Sequence, residues 1–206
     1  MTDRPSITDP RALRAFAHPV RSRILEELNA RGPQRSADLA RLLDLPANQV
    51  SFHVRNLATY GLVEEAPELA RDRRDRVWRA ADGGDGFRLD LEAVAAAPGG
   101  TAVAAAWRGR AGARAHRAVD AAYTAARDPA VLRSITEATF LLTKDEATEL
   151  EGELTAVLHR WTARSRAAGE VRGDGDGDGE RAVYALLQVL QPRVPDEGEP
   201  GAGPED

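Results

Sequence analysis

The stretch from Ala37 to Val63, ADLARLLDLPANQVSFHVRNLATYGLV, constrains the fold of this chain more than any other. It holds two short helical patterns joined by a tight apolar turn. Leu39, Leu42 and Leu43 mark the inner face of the first helix. Val50, Val54 and Leu57 mark that of the second, at spacing i, i+4, i+7. With about 100° per residue, Asn48, Ser51, Phe52, Arg55 and Thr59 gather on the opposite side of the second helix. That side offers amides, hydroxyls, an aromatic ring and a guanidinium. No carboxylate occurs from Leu45 to Val63. A helix that only faces water ordinarily carries Glu or Asp. This face instead suits the donor and acceptor pattern of a DNA major groove.

The flanking sequence supplies a frame for those two helices. Asp9-Pro10 opens a short helix with Leu13, Phe16 and Ala17 inward. His18-Pro19 interrupts it, and Pro19 starts a second helix that turns Val20, Ile24, Leu25 and Leu28 inward and stops at Gly32-Pro33. Ser36 is the expected N-cap of the third helix. Pro46 starts the fourth, and Gly61 ends it as a left-handed cap. Leu62-Val63 and Val77-Trp78 then read as two strands of a β-hairpin. The connection between them carries Arg71, Arg73, Arg74 and Arg76. Helices followed by a basic hairpin make a winged helix-turn-helix pattern.

Beyond the hairpin the pattern loosens. ADGGDG at 81–86 is a turn, Phe87, Leu89 and Leu91 alternate, and AAAPGG at 95–100 is a break. A helix is expected from about Val103 to Arg127, with the stripe Trp107, Ala111, Ala115, Ala118, Ala122 and Ala126. Thr139–Leu142 reads as a strand. Thr143 and Glu146 form a capping box for a helix running to about Arg166. Its seam of Ala147, Leu150, Leu154, Val157 and Trp161 is too short for a free coiled coil, so it must pack on its own chain or on a second subunit. Val183–Leu190 reads as a buried strand in one small sheet with 139–142. The expected organisation is a flexible N-terminus at 1–9, a winged helix-turn-helix domain at 10–92, a dimerisation or effector region at 101–190 and a disordered tail at 191–206. The expected fold class is mainly α with small β, the winged domain being followed by an α+β region.

Composition narrows the function. The chain has no cysteine, which excludes disulfides, thiolate metal sites and cysteine catalysis. No apolar run reaches the ~18 residues of a membrane span, and MTDRPSITDP lacks a signal-peptide core, so a soluble cytoplasmic protein is expected. The net charge of −5 is unevenly spread. Residues 1–90 carry 15 Arg against 14 Asp and Glu, and the excess of acid lies in the C-terminal half. Charges clustered near a contact surface count for more than the total.

The segments HPVRSRILEEL (18–28), SADLARLL (36–43), NQVSFHVRNLATYGLV (48–63) and RVWRA (76–80) resemble the ArsR-like family of winged-helix repressors over about residues 10–92. The helical sequence after the wing is similar to that of longer, metal-independent members. The resemblance implies a homodimer on an imperfect palindrome of double-stranded DNA, with Pro46–Tyr60 as the recognition helix. It implies that Asn48, Gln49, Ser51, Phe52 and Arg55 lie nearest the bases and phosphates, with the wing arginines beside the backbone or minor groove. Metal-sensing members use cysteines before the turn, or acid and histidine sets on a C-terminal helix. Here 37–43 has no cysteine, and the late helix offers only His116 and Asp120. No metal or cofactor is expected.

Several residues have two readings. Arg55 pairs with a guanine edge or holds a phosphate. Phe52 touches a thymine methyl, or packs on the wing if the helix is slightly rotated. His53 flanks the apolar stripe, and hydrogen bonding inside the domain competes with base contact. The wing arginines contact phosphate or a narrow minor groove, or form a solvated loop neutralised by Glu68, Asp72 and Asp75. We carry Ser36, Asn48, Gln49, Ser51, Phe52, His53, Arg55, Arg71, Arg73, Arg74 and Arg76 as the DNA-contacting set. Trp107, Tyr123, Leu154 and Trp161 would line a pocket for a small apolar effector between the two late helices, or simply pack there. Asp174, Asp176, Asp178 and Gly179 begin like a calcium loop, but the twelfth position is Ala185, which favours a linker. No catalytic motif is present, so an enzyme is not expected. The alternative to a DNA-binding regulator is a winged-helix protein-interaction module.

Overall fold

The computed structural model describes residues 5–71, 76–83, 86–124, 126, 128–170 and 182–192. The chain begins with β1 (Ser6–Ile7), α1 (Pro10–Phe16) and α2 (Pro19–Arg31), and continues through β2 (Gln34–Arg35), α3 (Ser36–Leu43) and α4 (Ala47–Thr59). β3 (Val63–Glu65) and β4 (Val77–Ala80) form the wing, and β5 (Arg88–Leu89), α5 (Leu91–Ala96), α6 (Gly100–Thr124) and α7 (Lys144–Glu170) follow.

The boundaries follow from local chemistry. Asp9 accepts a hydrogen bond from Arg11 N at 2.8 Å, and Pro10 occupies the first turn of α1. His18 is extended because Pro19 follows it, and α2 starts there. Asp44 ends α3 with φ 53°, a left-handed position that a short polar side chain tolerates. Gly61 has φ 65°, and Leu62 N donates to Leu57 O at 3.0 Å, which closes α4. Ser36 is not the cap it is expected to be. Arg35 takes the extended capping position, Ser36 is the first helical residue, and its hydroxyl is engaged elsewhere.

The core gathers Leu13, Ile24, Leu28, Leu39, Leu43, Val50, Val54, Leu57, Leu62 and Val63. Leu42 departs from the expected inner face of α3 and is 38% exposed. The three-stranded sheet has the order β2-β4-β3, antiparallel throughout, with Val63 opposite Ala80 and Gln34 opposite Trp78. A second, two-stranded sheet pairs β1 with β5 in parallel. Ile7 is 4% exposed within the core, so the expectation of a flexible terminus through residue 9 fails at Ser6–Ile7. Phe16 meets Phe87 edge to face, with centroids 6.2 Å apart. Val94 and Ala104 carry the core onto α5 and the first turns of α6, and α6 packs on α1 and α5.

The expected strands at 139–142 and 183–190 do not form; both segments lie outside any ladder. A strand needs a partner edge, and among the described residues neither segment joins a ladder; Leu132 N, upstream of the first segment, donates to Tyr184 Oη at 3.1 Å. The capping box is present. Glu146 N donates to Thr143 Oγ1 at 3.2 Å, and Thr143 N donates to Glu146 Oε2 at 2.7 Å. Among the described residues no helix is long and apolar enough to cross a membrane.

Candidate nucleic-acid interface

α4 is held from behind. Val50, Val54 and Leu57 are fully buried, so the helix has one allowed rotation about its axis. That rotation exposes Asn48, Gln49, Phe52, Arg55 and Thr59, and leaves Ser51 half-buried. Phe52 is 59% exposed, so of its two readings the structure keeps the outward one. Arg55 Nε donates to Ser51 O at 3.0 Å, which lays the side chain along the helix. Asn48 Oδ1 accepts from Gln49 N at 2.9 Å.

His53 is the correction within the candidate set. It is only 7% exposed and turns inward, though its ring still meets that of Phe52 edge to face at 5.4 Å. Its ring stacks on that of His18, with centroids 4.7 Å apart. The Nδ1 atoms of both histidines are buried without a hydrogen-bond partner among the described residues. Burial lowers both pKa values below the ordinary histidine range, and the nearby Arg21 guanidinium lowers them further. His18 is also depressed by His53 and by Arg110.

Four residues of the set meet in one cleft. Ser36, Ser51, Arg55, Arg76 and Trp78 line an open space of about 320 Å³ between the start of α3, α4 and β4. Trp78 Nε1 donates to Ser36 Oγ at 3.1 Å, and Ser36 N donates to Arg76 O at 3.4 Å. These bonds pin the wing to the helix-turn-helix. Two guanidinium groups and two hydroxyls around one opening are a donor set suited to a phosphodiester.

The wing is less basic than its composition implies. Arg79 Nε donates to Glu64 at 2.6 Å, and its other arm reaches Glu68. Arg76 Nε stands 3.7 Å from Glu65 Oε1. Arg71 is exposed. Arg73 and Arg74, with Asp72 and Asp75, lie outside the described residues, as do Asp174, Asp176, Asp178 and Gly179.

The expected effector pocket does not assemble. α6 packs on α1 and α5, whereas α7 packs on α2. Trp107 sits at the edge of the core, while Tyr123 and Trp161 are 61% and 60% exposed and Leu154 is 37% exposed. The alanine stripe of α6 has too little apolar area to draw α7 onto it. His116 and Asp120 are exposed, and no group of three or more metal-ligating side chains occurs among the described residues.

Sequence reasoning missed the long-range polar ties. Arg21 donates to Ala15 O at 2.7 Å, Arg14 O at 3.2 Å and Asn56 Oδ1 at 2.6 Å. It thereby satisfies the last carbonyls of α1 and braces α4. Arg166 donates to Asn29 O at 3.1 Å, Asn29 Oδ1 at 2.9 Å and Gly83 O at 2.6 Å, and Ser165 Oγ donates to Ala30 O at 3.2 Å. These bonds cap α2 with the end of α7. Neither set follows a helical spacing, so no local signal announces it.

No curated protein matches the chain. Among solved structures, the chain is similar to a homodimeric winged helix-turn-helix DNA-binding domain from Mycobacterium bovis, a possible ArsR-family transcriptional regulator determined by solution NMR. The identity is 20%, the match covers 57% of this chain and 83% of that one, and the TM-score is 0.31. Residues 16–66, which run from the last residue of α1 to the residue after β3, match the family model described as a helix-turn-helix domain.

Proposed function

We propose that the protein is a sequence-specific DNA-binding transcriptional regulator of the ArsR-like, metal-independent kind. In this reading it is a cytoplasmic repressor that acts as a homodimer on a palindromic operator, and it is a binder and not an enzyme. The observation that carries the reading is the outer face of α4. It is exposed, free of acid and continuous with the cleft that holds Arg55 and Arg76. α4 enters the major groove, where Asn48, Gln49, Phe52 and Arg55 reach base edges. Ser36, Ser51 and Arg76 take a phosphate at the groove wall, and the wing lies along the adjacent backbone.

Hydroxyl-radical footprinting on DNA upstream of the protein's own gene tests this. Two protected half-sites one helical turn apart, about 34–36 Å, are expected. A single protected half-site, or uniform protection at every sequence, overturns the operator reading. A second reading, a winged-helix module turned to protein partners, draws on the Glu64–Arg79–Glu68 cluster, which removes a cation from the wing. It expects no footprint on any fragment and retention of a protein partner at the same face.

A further inference from the structure

Two histidines stand where the helix-turn-helix can least accept a charge. His18 precedes α2 and His53 lies on the buried side of α4, and their rings stack with centroids 4.7 Å apart. His53 is buried and His18 is half-buried. Neither Nδ1 has a hydrogen-bond partner among the described residues. A neutral imidazole carries one N–H. A proton adds a second donor, which must then find an acceptor of its own.

The surroundings have little to offer that donor. The Arg21 guanidinium of α2 lies beside both rings, and that of Arg110 on α6 lies beside His18. Tyr60, at the end of α4, faces Arg21. α1 and the residue after it present carbonyl oxygens, but Ala15 O and Arg14 O already accept from Arg21, and Ala17 O accepts from Arg110. Arg21 is also tied to Asn56 Oδ1 on α4 at 2.6 Å, so its charge cannot swing away without releasing that brace. An imidazolium in the stack therefore meets a fixed cation with much of its hydration removed.

The stack reaches the outer face of α4 through one contact. The Phe52 ring meets that of His53 edge to face, with centroids 5.4 Å apart and planes at 69°. Phe52 is 59% exposed, so His53 supports a ring that otherwise faces water. Such a pair has a preferred geometry, and a shift of one ring is felt by the other.

We propose that the His18–His53 stack is a proton-operated seat for Phe52. With both rings neutral, the stack holds Phe52 in place for base contact. One proton on the stack drives the two rings apart, frees Phe52 and weakens DNA binding in mild acid. The proposal rests on the DNA-binding reading and adds its regulation. Its sign sets it apart from ordinary titration. A protein that gains positive charge is drawn more strongly to phosphate, so histidines that titrate without such a seat would tighten binding as pH falls. A seat that opens does the opposite.

The test measures the affinity of the full chain for DNA from upstream of its own gene, at about pH 7.5 and about pH 5.5. It compares the wild type with the double variant His18→Phe, His53→Phe, which keeps two rings but takes up no proton. Wild-type affinity should fall by about 3- to 10-fold, because a proton taken up only by the released state shifts the balance by up to about tenfold at this pH. The variant should lose that fall. Wild-type affinity that holds or rises in acid overturns the proposal, and so does a variant that falls as steeply. Circular dichroism at both pH values separates a local seat from global unfolding. Helical signal lost in step with binding also overturns it. Proton NMR of the DNA-free wild type supplies a readout independent of mutation. The Phe52 ring resonances should move with those of the His53 imidazole at a shared midpoint. Phe52 resonances that stay still while His53 titrates overturn the seat and leave the DNA reading standing. A wild type that binds the fragment at neither pH removes the DNA reading, and the regulation with it.

Discussion

The ring of His18 lies on that of His53, with centroids 4.7 Å apart and planes at 39°, and neither Nδ1 has a hydrogen-bond partner among the described residues. This contact joins the start of α2 to the inner side of α4. The charged groups around it are Arg21 from α2 and Arg110 from α6, both cationic. A proton on either imidazole therefore meets burial and positive charge with no carboxylate to offset them.

Stability should fall in mild acid. Both histidines have folded pKa values below the ordinary 6.5. Below about that pH the unfolded chain binds more protons than the folded one. The stability is fully present above about pH 6.5 and is lost as pH drops through the lowered folded values. Thermal unfolding from about pH 8 to about pH 5 should show this decline, and His53→Phe should flatten it. An acid slope unchanged in His53→Phe would assign the decline to other groups.

Ser36→Ala should loosen the wing. It removes the acceptor of Trp78 Nε1–H, and Trp78 is 5% exposed. The buried donor left behind costs about 1–2 kcal/mol. Chemical denaturation should show that loss. DNA affinity should fall further than stability alone accounts for, because Arg76 shares the cleft.

Gly100 is required by a close approach. A Cβ there would stand 1.7 Å from Val94 O, so Gly100→Ala forces α6 away from α5 and should cost about 2–3 kcal/mol. At Gly109, also in α6, a Cβ meets nothing within 4 Å, and Gly109→Ala should instead add about 0.5–1 kcal/mol through helix propensity. Equal effects at the two positions in denaturant melts would refute the packing of α6 described above.

Arg166→Ala should release the end of α7 from α2. It removes the bonds to Asn29 O, Asn29 Oδ1 and Gly83 O. Amide exchange at the C-terminal end of α7 should quicken, with a stability loss of about 1–3 kcal/mol. Unchanged exchange there would show that α7 is held by other contacts.

The helix-turn-helix was legible because its signals are local and redundant. Leu39, Leu43, Val50, Val54 and Leu57 repeat at helical spacing, and Gly32, Pro46 and Gly61 mark the breaks. The Thr143–Glu146 capping box was legible for the same reason. β2 was not, since two residues carry no periodicity, and their place is set by pairing with β4. Leu42 was placed inside because i, i+3, i+4 spacing marks a stripe but not its width. The segments at 139–142 and 183–190 have strand composition, but a strand exists only with a partner, which composition does not reveal. On α4 the apolar stripe set the face: Phe52 lies opposite it, and only His53 flanks its border. Burial decided that His53 turned inward. Arg21 reaches the Asn56 side chain and Arg166 the carbonyls of Asn29 and Gly83, all far along the chain, and nothing in their neighbours' identities points there.

In the proposed reading the acid-free face of α4 and the Arg55–Arg76 cleft bind DNA. The most direct measurement is the salt dependence of binding to an upstream fragment, for the wild type and for Arg76→Ala. Affinity should fall linearly on logarithmic axes with added salt through counterion release, and the slope should shrink by about 1 in the variant as one phosphate contact is lost. Binding that ignores salt, or a slope that Arg76→Ala leaves unchanged while the protein stays folded, would rule out DNA contact by this cleft.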